Sequence, residues 1–255
     1  MITDPPLHSP EARQDLLRQR LERGESLRLA GLAEEFGIST DSARRDLKAL
    51  EAQGYGRCIR GGALPVARLS PPTLARLGEH VEARQRIVAA TLPLIEDGMV
   101  LLLDGGTTVL ALAHALPPLP QALVVTPAPA VAQVTLAKGI PTRMIGGRLS
   151  PGGAIAVGHD AVRQVEAIAA DRAFLGACGL SLDFGLSSDD GDEAEVKRAM
   201  LDAAHETWIP TIAAKLGRTT RHHVAPLGRL TGLVTDAPEP QTRPYAQSPM
   251  KVLHV

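Results

Sequence analysis

Four polar side chains between positions 42 and 48 have the chemistry to contact duplex DNA. They are Ser42, Arg44, Arg45 and Lys48. The fork of arginine can bind guanine through two hydrogen bonds, and a serine hydroxyl can bind a base or a phosphate. On a helix, Arg45 would point away from the apolar side chains, and Arg44 would lie on the flank, within reach of a phosphate. An ordinary solvated helix would show the same charges, so the neighbouring elements decide between the two interpretations.

Those neighbours have the pattern of a winged helix-turn-helix. Residues 11–23 and 29–36 predict two short helices, and Ser39 is a good N-cap for a third. The inner face of the third helix carries three apolar residues: Ala43, Leu47 and Leu50. The predicted stops and turns are glycines: Gly37, Gly54 and the pair Gly61-Gly62, which bounds a wing. Together these features favour a DNA-recognition helix over the solvated one.

The charge distribution indicates a local DNA-binding surface. Residues 1–62 carry ten Lys/Arg and ten Asp/Glu, so this part of the chain has no overall positive charge. The chain has only six aromatic residues, which argues against a platform for single strands and leaves duplex binding open. We predict double-stranded DNA contacts from eight residues: Ser39, Thr40, Ser42, Arg44, Arg45, Lys48, Arg57 and Arg60.

A second group of residues has the chemistry to hold a phosphate. In VLLLDGGTT, an apolar run ends in Asp104, Gly105 and Gly106, and Thr107 and Thr108 then begin a helical pattern. The glycines let the backbone approach a ligand, and the free N–H groups at a helix N-terminus favour an anion. A tight turn in which Thr107 merely caps the helix is an equally good interpretation of this motif alone. The dinucleotide fingerprint and a GKS/T ending are absent, so we predict no NAD, no ATP and no other cofactor.

The region around this motif alternates apolar runs with helical patterns. The predicted buried strands are VLLLD, ALVVT, TRMIG, RAFLGA, WIPTIAA and LTGLVTD. The predicted helices are 82–95, 107–116, 129–137, 160–169 and 192–206. Strands that alternate with helices imply crossover connections. We therefore predict an α/β main domain with a mostly parallel sheet, preceded by a small winged helix-turn-helix domain.

Length and composition set the domain organisation. At 255 residues, with 44% hydrophobic and 22% charged residues, the chain is expected to be globular, with one large or two unequal domains. We predict a DNA-binding domain at 1–63, a proline-rich linker at 64–80, an effector-binding domain at 81–240 and a loose tail at 241–255.

The remaining composition favours a cytoplasmic protein. No apolar run is longer than that of Met99 to Leu103, which is far short of a membrane span, and the N-terminus lacks the pattern of a secretion signal. Cys58 and Cys178 stand far apart without a neighbouring ligand, so no disulfide or zinc site is expected. The pair His222-His223 has no third ligand nearby and is expected to form a solvated turn. We predict no metal and no membrane contact.

The N-terminal motif resembles the DNA-binding segment of the DeoR family of bacterial repressors. The matching residues are Leu32, Ala33, Phe36, Ser39, Arg44, Arg45, Asp46, Leu47, Leu50, Glu51, Gly54 and Gly61 to Ala63. Three positions depart from the family pattern: Ser42 replaces threonine, Ala43 replaces a larger aliphatic residue, and Cys58 replaces a wing arginine. Ala43 is expected to loosen the packing of the recognition helix, and the loss of the wing arginine puts one phosphate contact in doubt.

Residues 80–236 resemble the sugar-phosphate-sensing half of the same family, which is similar to ribose-5-phosphate isomerase. The resemblance implies that Asp104 binds sugar hydroxyls, that Gly105 to Thr108 bind the phosphate, and that Lys215 binds the phosphate or an adjacent oxygen. It extends the effector set to three residues in further matching stretches: Thr126, Gly147 and Gly176. Pro127 stands where the family has asparagine, which suggests an altered effector. Glu195 and Lys197 are interpreted as a pair on the surface of a helix.

The resemblance implies a non-enzymatic transcriptional regulator, a repressor that a phosphorylated sugar releases from DNA. Because one winged helix covers only a few base pairs, we expect at least a dimer. One alternative is a sugar-phosphate isomerase with an appended winged helix, using Asp104, Glu195 or Lys215 as acid or base. No second carboxylate near the glycine loop is identifiable from the sequence, which argues against this alternative. Another is a protein-binding winged helix whose arginines meet an acidic partner. Strong binding to operator DNA would exclude this protein-binding role.

Overall fold

A computed structural model describes residues 9–22, 24–53, 55–65 and 70–255. The chain divides into a small unit, Met1–Arg68 with Gly217–Thr219, and a large unit, Leu69–Leu216 with Thr220–Val255. The predicted boundaries at residues 63 and 80 stay predictions, and residues 66–69 of the predicted linker lie outside the described residues.

The small unit contains three helices and a three-stranded antiparallel sheet. Its elements are α1 Pro10–Glu22, β1 Leu27–Arg28, α2 Leu29–Phe36, α3 Thr40–Ala52, β2 Gly56–Ile59 and β3 Gly62–Pro65. The sheet order is β1-β3-β2, and Gly61 turns between β2 and β3 with φ 98°. Gly37 ends α2 in the left-handed conformation, with φ 62°. The predicted winged helix-turn-helix is confirmed, and Gly54 lies outside the described residues.

Apolar side chains from all three helices form the core of this unit. The buried residues are Leu17, Leu21, Leu27, Leu32, Phe36, Ala43, Leu47, Leu50 and Ala63. The stripe predicted for α3 is buried as expected. Asp46 also faces inward, because it lies three residues after Ala43 and four before Leu50, on the same side of the helix.

The large unit is built on a seven-stranded sheet in which every pair of neighbours is parallel. Its strands are β4 Val100–Leu103, β5 Leu123–Thr126, β6 Thr142–Met144, β9 Ala170–Phe174, β12 Ala204–Pro210, β14 Gly232–Thr235 and β15 Lys251–His254. The order across the sheet is β15-β14-β12-β9-β4-β5-β6. The predicted α/β class is confirmed.

Helices connect these strands, and two small sheets flank them. The helices are α4 Val81–Thr91, α5 Thr107–Ala115, α6 Pro129–Ala137, α7 His159–Glu166, α8 Gly191–Ala203 and α9 Glu239–Ala246. The flanking strands are β7 Arg148–Leu149, β8 Ala156–Val157, β10 Gly179–Ser181, β11 Gly185–Ser188 and β13 His222–Ala225. Short 3-10 helices occupy Thr73–Arg76, Leu92–Leu94, Ala213–Lys215 and Leu227–Arg229.

Three sequence predictions about the large unit are wrong. The tail is not loose: β15 pairs with β14, and the Tyr245 hydroxyl of α9 donates to the Leu180 carbonyl at 2.8 Å. The TRMIG segment is not fully buried, because β6 is an edge strand that leaves Met144 exposed. His222 and His223 lie in β13 rather than in a turn.

Among the described residues, no helix is long and apolar enough to cross a membrane.

Candidate functional site

The N-terminus of α3 presents the predicted DNA-binding residues to solvent. The Ser39 hydroxyl caps the helix by accepting from the Ser42 amide at 3.1 Å, so the predicted N-cap is confirmed. Thr40, Arg44, Arg45 and Lys48 are exposed, as are Arg57 and Arg60 of the wing. The small unit therefore presents an arginine-rich helix face and a basic hairpin to solvent.

The two arginines of α3 have different surroundings. Arg44 Nη1 lies 2.7 Å from Asp41 Oδ1, in an exposed ion pair. Arg45 donates to the Asp41 carbonyl and to the Ser42 hydroxyl, each at 3.4 Å. Exposed pairs of this kind contribute little to stability, so Arg44 can exchange its carboxylate partner for a phosphate at small cost.

A buried ion pair that the sequence prediction missed holds α3 against α1. Arg13 Nε donates to Asp46 Oδ2 at 2.9 Å, and Gln14 Nε2 donates to Asp46 Oδ1 at 3.0 Å. Arg13 and Asp46 are 5% and 3% exposed. A buried pair fixes geometry more than it stabilises, and this one fixes the helix that carries Arg44 and Arg45.

In the large unit, Asp104 occupies the point where the strand order reverses. From β4 the chain proceeds to β5 and β6 on one side, and later strands starting with β9 lie on the other. Asp104 directly follows β4, and Gly176 follows shortly after β9. Open α/β sheets bind ligands at the carboxyl ends of the strands at such a switch point.

Lys197 of α8 contacts Asp104 at this point. The Asp104 side chain is fully buried; its Oδ2 accepts from Lys197 Nζ and, at 2.9 Å, from the Gly176 amide. Lys197 also donates to the Gly176 carbonyl at 2.9 Å. Asp104 Oδ1 is buried and has no hydrogen-bond partner among the described residues. One carboxylate oxygen is therefore held in place while the other can accept a hydrogen bond from a ligand.

The interpretation of Lys197 as a surface residue is wrong, since it is only 5% exposed, whereas Glu195 is exposed as expected. Burial is the largest single effect and lowers the pKa of Lys197, but the charge of Asp104, its hydrogen bond and the weaker contributions of Cys178 and Glu193 together hold the pKa above its ordinary value. Lys197 therefore carries its charge at neutral pH.

The glycine–threonine loop, residues 105–108, joins β4 to α5. Gly106 precedes the helix with φ 96°, and no side chain caps the N-terminus of α5. A Cβ at Gly105 would lie 2.2 Å from Ile155 Cγ2, so only glycine fits there. The capping role considered for Thr107 is wrong, because Thr107 is the first residue of the helix itself. The N–H groups at the start of α5 stay available to an anion.

The loop at 150–155, which contacts Gly105, is held by a second buried acid. Glu193 accepts from the Ser150 hydroxyl at 2.6 Å and from the Gly153 amide at 2.7 Å, and Ala154 has a positive φ of 55°. Sequence reasoning missed Glu193. Its four-residue spacing from Lys197 places both on one buried face of α8.

The other predicted effector residues occupy different positions. Thr126 is buried and its hydroxyl accepts from the Ala128 amide at 3.1 Å. Gly147 lies against Val157 and Ala161. Lys215 is half-buried at the end of a 3-10 helix.

The thiol of Cys178 is influenced by the charges of two lysines, Lys197 and Lys215. Burial raises the pKa of this thiol, and the nearby charges of Lys197 and, more weakly, Lys215 oppose this rise. Both lysines therefore act electrostatically on Cys178. Among the described residues, no cluster of three His, Cys, Asp or Glu could hold a metal ion.

Comparison with known families accounts for both units. Residues 13–67 match the sequence profile of the DeoR-like helix-turn-helix domain. Residues 79–237, more than half of the chain, match that of the DeoR C terminal sensor domain. The chain belongs to the DeoR family. This confirms the family resemblance of the sequence motifs and makes the protein a DNA-binding transcriptional regulator.

Its relatives include named repressors. The HTH-type transcriptional repressor GlcR of Bacillus subtilis (strain 168) is 31% identical over 202 residues, which cover 78% of each chain. The glycerol-3-phosphate regulon repressor of Escherichia coli (strain K12) is 28% identical over 211 residues, 82% of this DeoR-family chain and 84% of that protein. Ribose 5-phosphate isomerase A from Methanocaldococcus jannaschii is a weak structural neighbour, with 15% identity and a TM-score of 0.38 over 52% of this chain and 53% of the isomerase. So low a TM-score supports no conclusion about fold or activity.

Proposed function

We propose that this DeoR-family protein represses an operon for the catabolism of a sugar or related compound, and that a phosphorylated sugar releases it from operator DNA. Residues 1–63 bind the operator, residues 81–240 bind the effector, and the protein acts as a homo-oligomer without catalytic turnover. Two relatives support the proposal, since one is named a repressor and another a repressor of a glycerol-3-phosphate regulon.

The main support for effector binding is the buried carboxylate of Asp104, whose Oδ1 has no hydrogen-bond partner among the described residues. An unpaired oxygen on a fully buried carboxylate is costly, and a donor from a ligand removes that cost. A sugar hydroxyl is such a donor. Lys197 holds the other oxygen, so the free one has a fixed direction.

The phosphate of the effector fits the adjacent loop. The start of α5 offers N–H groups and the positive end of a helix dipole, and Thr107 and Thr108 add hydroxyls. Lys215 supplies a cation, and Thr126, Gly147 and Gly176 complete the set of effector residues in this proposal. A polyhydroxylated phosphate ester therefore matches the two halves of the site.

Release from DNA follows from linkage. The effector binds more tightly to the arrangement that does not bind operator, and operator DNA then weakens effector binding by the same factor. A shift from mostly bound to mostly free requires about 5 kcal/mol of differential affinity. A charge-assisted phosphate site supplies a large part of this energy.

We expect Thr107→Val and Lys215→Ala to abolish effector-induced release while operator affinity without effector stays unchanged. Lys215→Ala should lose more binding free energy for the effector than Thr107→Val, because an ionic hydrogen bond contributes about 1.5–3 kcal/mol and a hydrogen bond of a neutral hydroxyl about 1 kcal/mol. Calorimetric titration with glucose 6-phosphate, ribose 5-phosphate and their unphosphorylated sugars measures the loss. Lys251→Ala, at an exposed lysine of β15, is the control.

Equal affinity for a sugar and its phosphate ester would remove the phosphate from the proposal. A pentose-phosphate isomerase activity that disappears in Lys215→Ala would assign the site to an enzyme instead.

We expect the two arginines of α3 to contribute differently to DNA binding. Arg45→Ala should lose about 1–3 kcal/mol of discrimination between operator and random duplex, whereas Arg44→Ala should weaken both equally and flatten the salt dependence. Fluorescence anisotropy with the DNA upstream of the gene, at several salt concentrations, separates the effects. Wild-type operator affinity in both variants would refute the assignment of α3 as the recognition helix and favour a protein-binding role.

We expect at least a dimer. One winged helix covers only a few base pairs, and specificity over a genome generally requires two half-sites. Light scattering of the full-length protein, free and with operator, measures the mass directly. A monomer in both conditions would contradict the prediction.

A further inference from the structure

The segment that leads into the sensor domain, residues 70–80, is fastened to the loops around Asp104. We call it the connecting segment. The Thr73 amide donates to the Gly152 carbonyl at 2.8 Å, and the Ser70 amide donates to Asp189 Oδ2 at 3.0 Å. Gly152 belongs to the loop that contacts Gly105 and is held by Glu193.

Arg84 of α4 contacts both the connecting segment and the glycine–threonine loop. Its Nη2 donates to the Leu77 carbonyl at 2.6 Å and to the Glu79 carbonyl, and its Nη1 lies 3.4 Å from the Thr107 carbonyl. Arg84 is 6% exposed. A single buried guanidinium therefore joins the connecting segment to the first residue of α5.

The charge of Arg84 is poorly compensated. Within the described parts of the chain, no carboxylate lies within ion-pair distance of it, and its buried Nε has no hydrogen-bond partner. Burial, with the charge of Arg76, lowers the pKa of Arg84, and the charge of Glu79 opposes this lowering only in part. The N-terminus of α5 adds a partial positive charge beside it. An anion bound at this N-terminus would compensate both charges.

We propose that Arg84 is a positioning residue that couples occupation of the glycine–threonine loop by an anion to the order of the connecting segment. An anion bound at the glycine–threonine loop stabilises the Arg84 guanidinium in the position in which it donates hydrogen bonds to the carbonyls of Leu77 and Glu79. The segment that leads to the DNA-binding residues is thereby ordered. The inference rests on the proposed function only in that the loop takes an anion.

Hydrogen–deuterium exchange of the full-length protein tests the proposal. In Arg84→Gln, the amides of residues 70–80 should exchange about tenfold faster than in wild type. Adding inorganic phosphate should slow their exchange in wild type and leave it unchanged in Arg84→Gln. Arg86→Gln is the matched control, because Arg86 lies on the same helix with an exposed side chain.

Two further variants keep the test informative if Arg84→Gln folds poorly. Arg84→Lys keeps the charge but cannot reach three carbonyls, so the exchange rates should lie between those of wild type and Arg84→Gln. Thr73→Pro removes the N–H that binds Gly152 at the first position of a 3-10 helix, where proline fits. It should speed exchange in the connecting segment and keep phosphate binding.

Wild-type exchange rates in Arg84→Gln, or an equal response of both proteins to phosphate, would overturn the inference. So would the absence of any phosphate effect in wild type. If phosphate slows exchange in wild type as expected but no sugar phosphate releases the protein from operator DNA, the inference stands and the proposed effector response fails.

Discussion

Lys197→Met should lower the free energy of unfolding of the large unit by about 3–5 kcal/mol, because it leaves the fully buried Asp104 carboxylate without its cation. Only the Gly176 amide would still donate to that side chain among the described residues. Trp208, the single tryptophan, is 4% exposed in β12 and reports unfolding of this unit by its fluorescence in a urea titration.

Two variants check the cause of this loss. Arg198→Met changes an exposed cation on the same helix, one that donates to the His223 carbonyl at 2.5 Å, and should cost less than about 1 kcal/mol. The double variant Asp104→Leu with Lys197→Met removes both charges and should recover roughly half of the loss or more. A double variant as unstable as the sum of its single changes would show that packing, and not the unpaired charge, explains the effect.

Most helices and strands could be predicted from the sequence, because the residue patterns that mark them are local. Short apolar runs marked all the strands of the main sheet except β15, and glycines and Ser39 marked the ends of the helices around the turn. β15 was missed because the surrounding proline-rich composition indicates a loose chain. Its order depends on pairing with β14 and on the burial of Tyr245, which are contacts distant in sequence.

The acidic and basic partners inside the two sites could not be predicted in the same way. Asp46 and Arg13 are 33 residues apart, and Lys197 and Asp104 are 93 apart. A sequence pattern gives the face of a helix but not what that face meets. The pattern could have predicted that Lys197 is buried, although not its partner. Lys197 precedes the buried Met200 and Leu201 by three and four residues, which places it on an apolar face of the helix.

A charged residue within an apolar stripe therefore indicates a buried partner more often than a surface pair, since an unpaired charge there would be too costly. Asp46 follows the same rule in α3. It is the residue next to Arg45, so the ion pair that satisfies it also sets the orientation of the DNA-recognition face.

Arg13→Met should destabilise the small unit by about 3–5 kcal/mol, because Asp46 stays buried with Gln14 as its other hydrogen-bond partner. A unit of this size lies near the lower end of the roughly 5–15 kcal/mol typical of domains, so a large part of it should unfold at physiological temperature. Hydrogen–deuterium exchange of residues 9–65 in the full-length protein measures the loss, and operator affinity should fall with it.

The salt dependence of DNA binding separates this role from direct contact. Because Arg13 is buried and is therefore not expected to reach a phosphate, Arg13→Met should weaken operator binding without changing its salt slope, whereas Arg44→Ala should change the slope. Arg18→Met is the control: Arg18 pairs with Asp15 on the exposed side of α1, and its loss should cost less than about 1 kcal/mol. Replacing both members, as Arg13→Met with Asp46→Leu, should restore much of the stability. A flattened salt slope in Arg13→Met would mean that this arginine contacts DNA and does not act by holding α3.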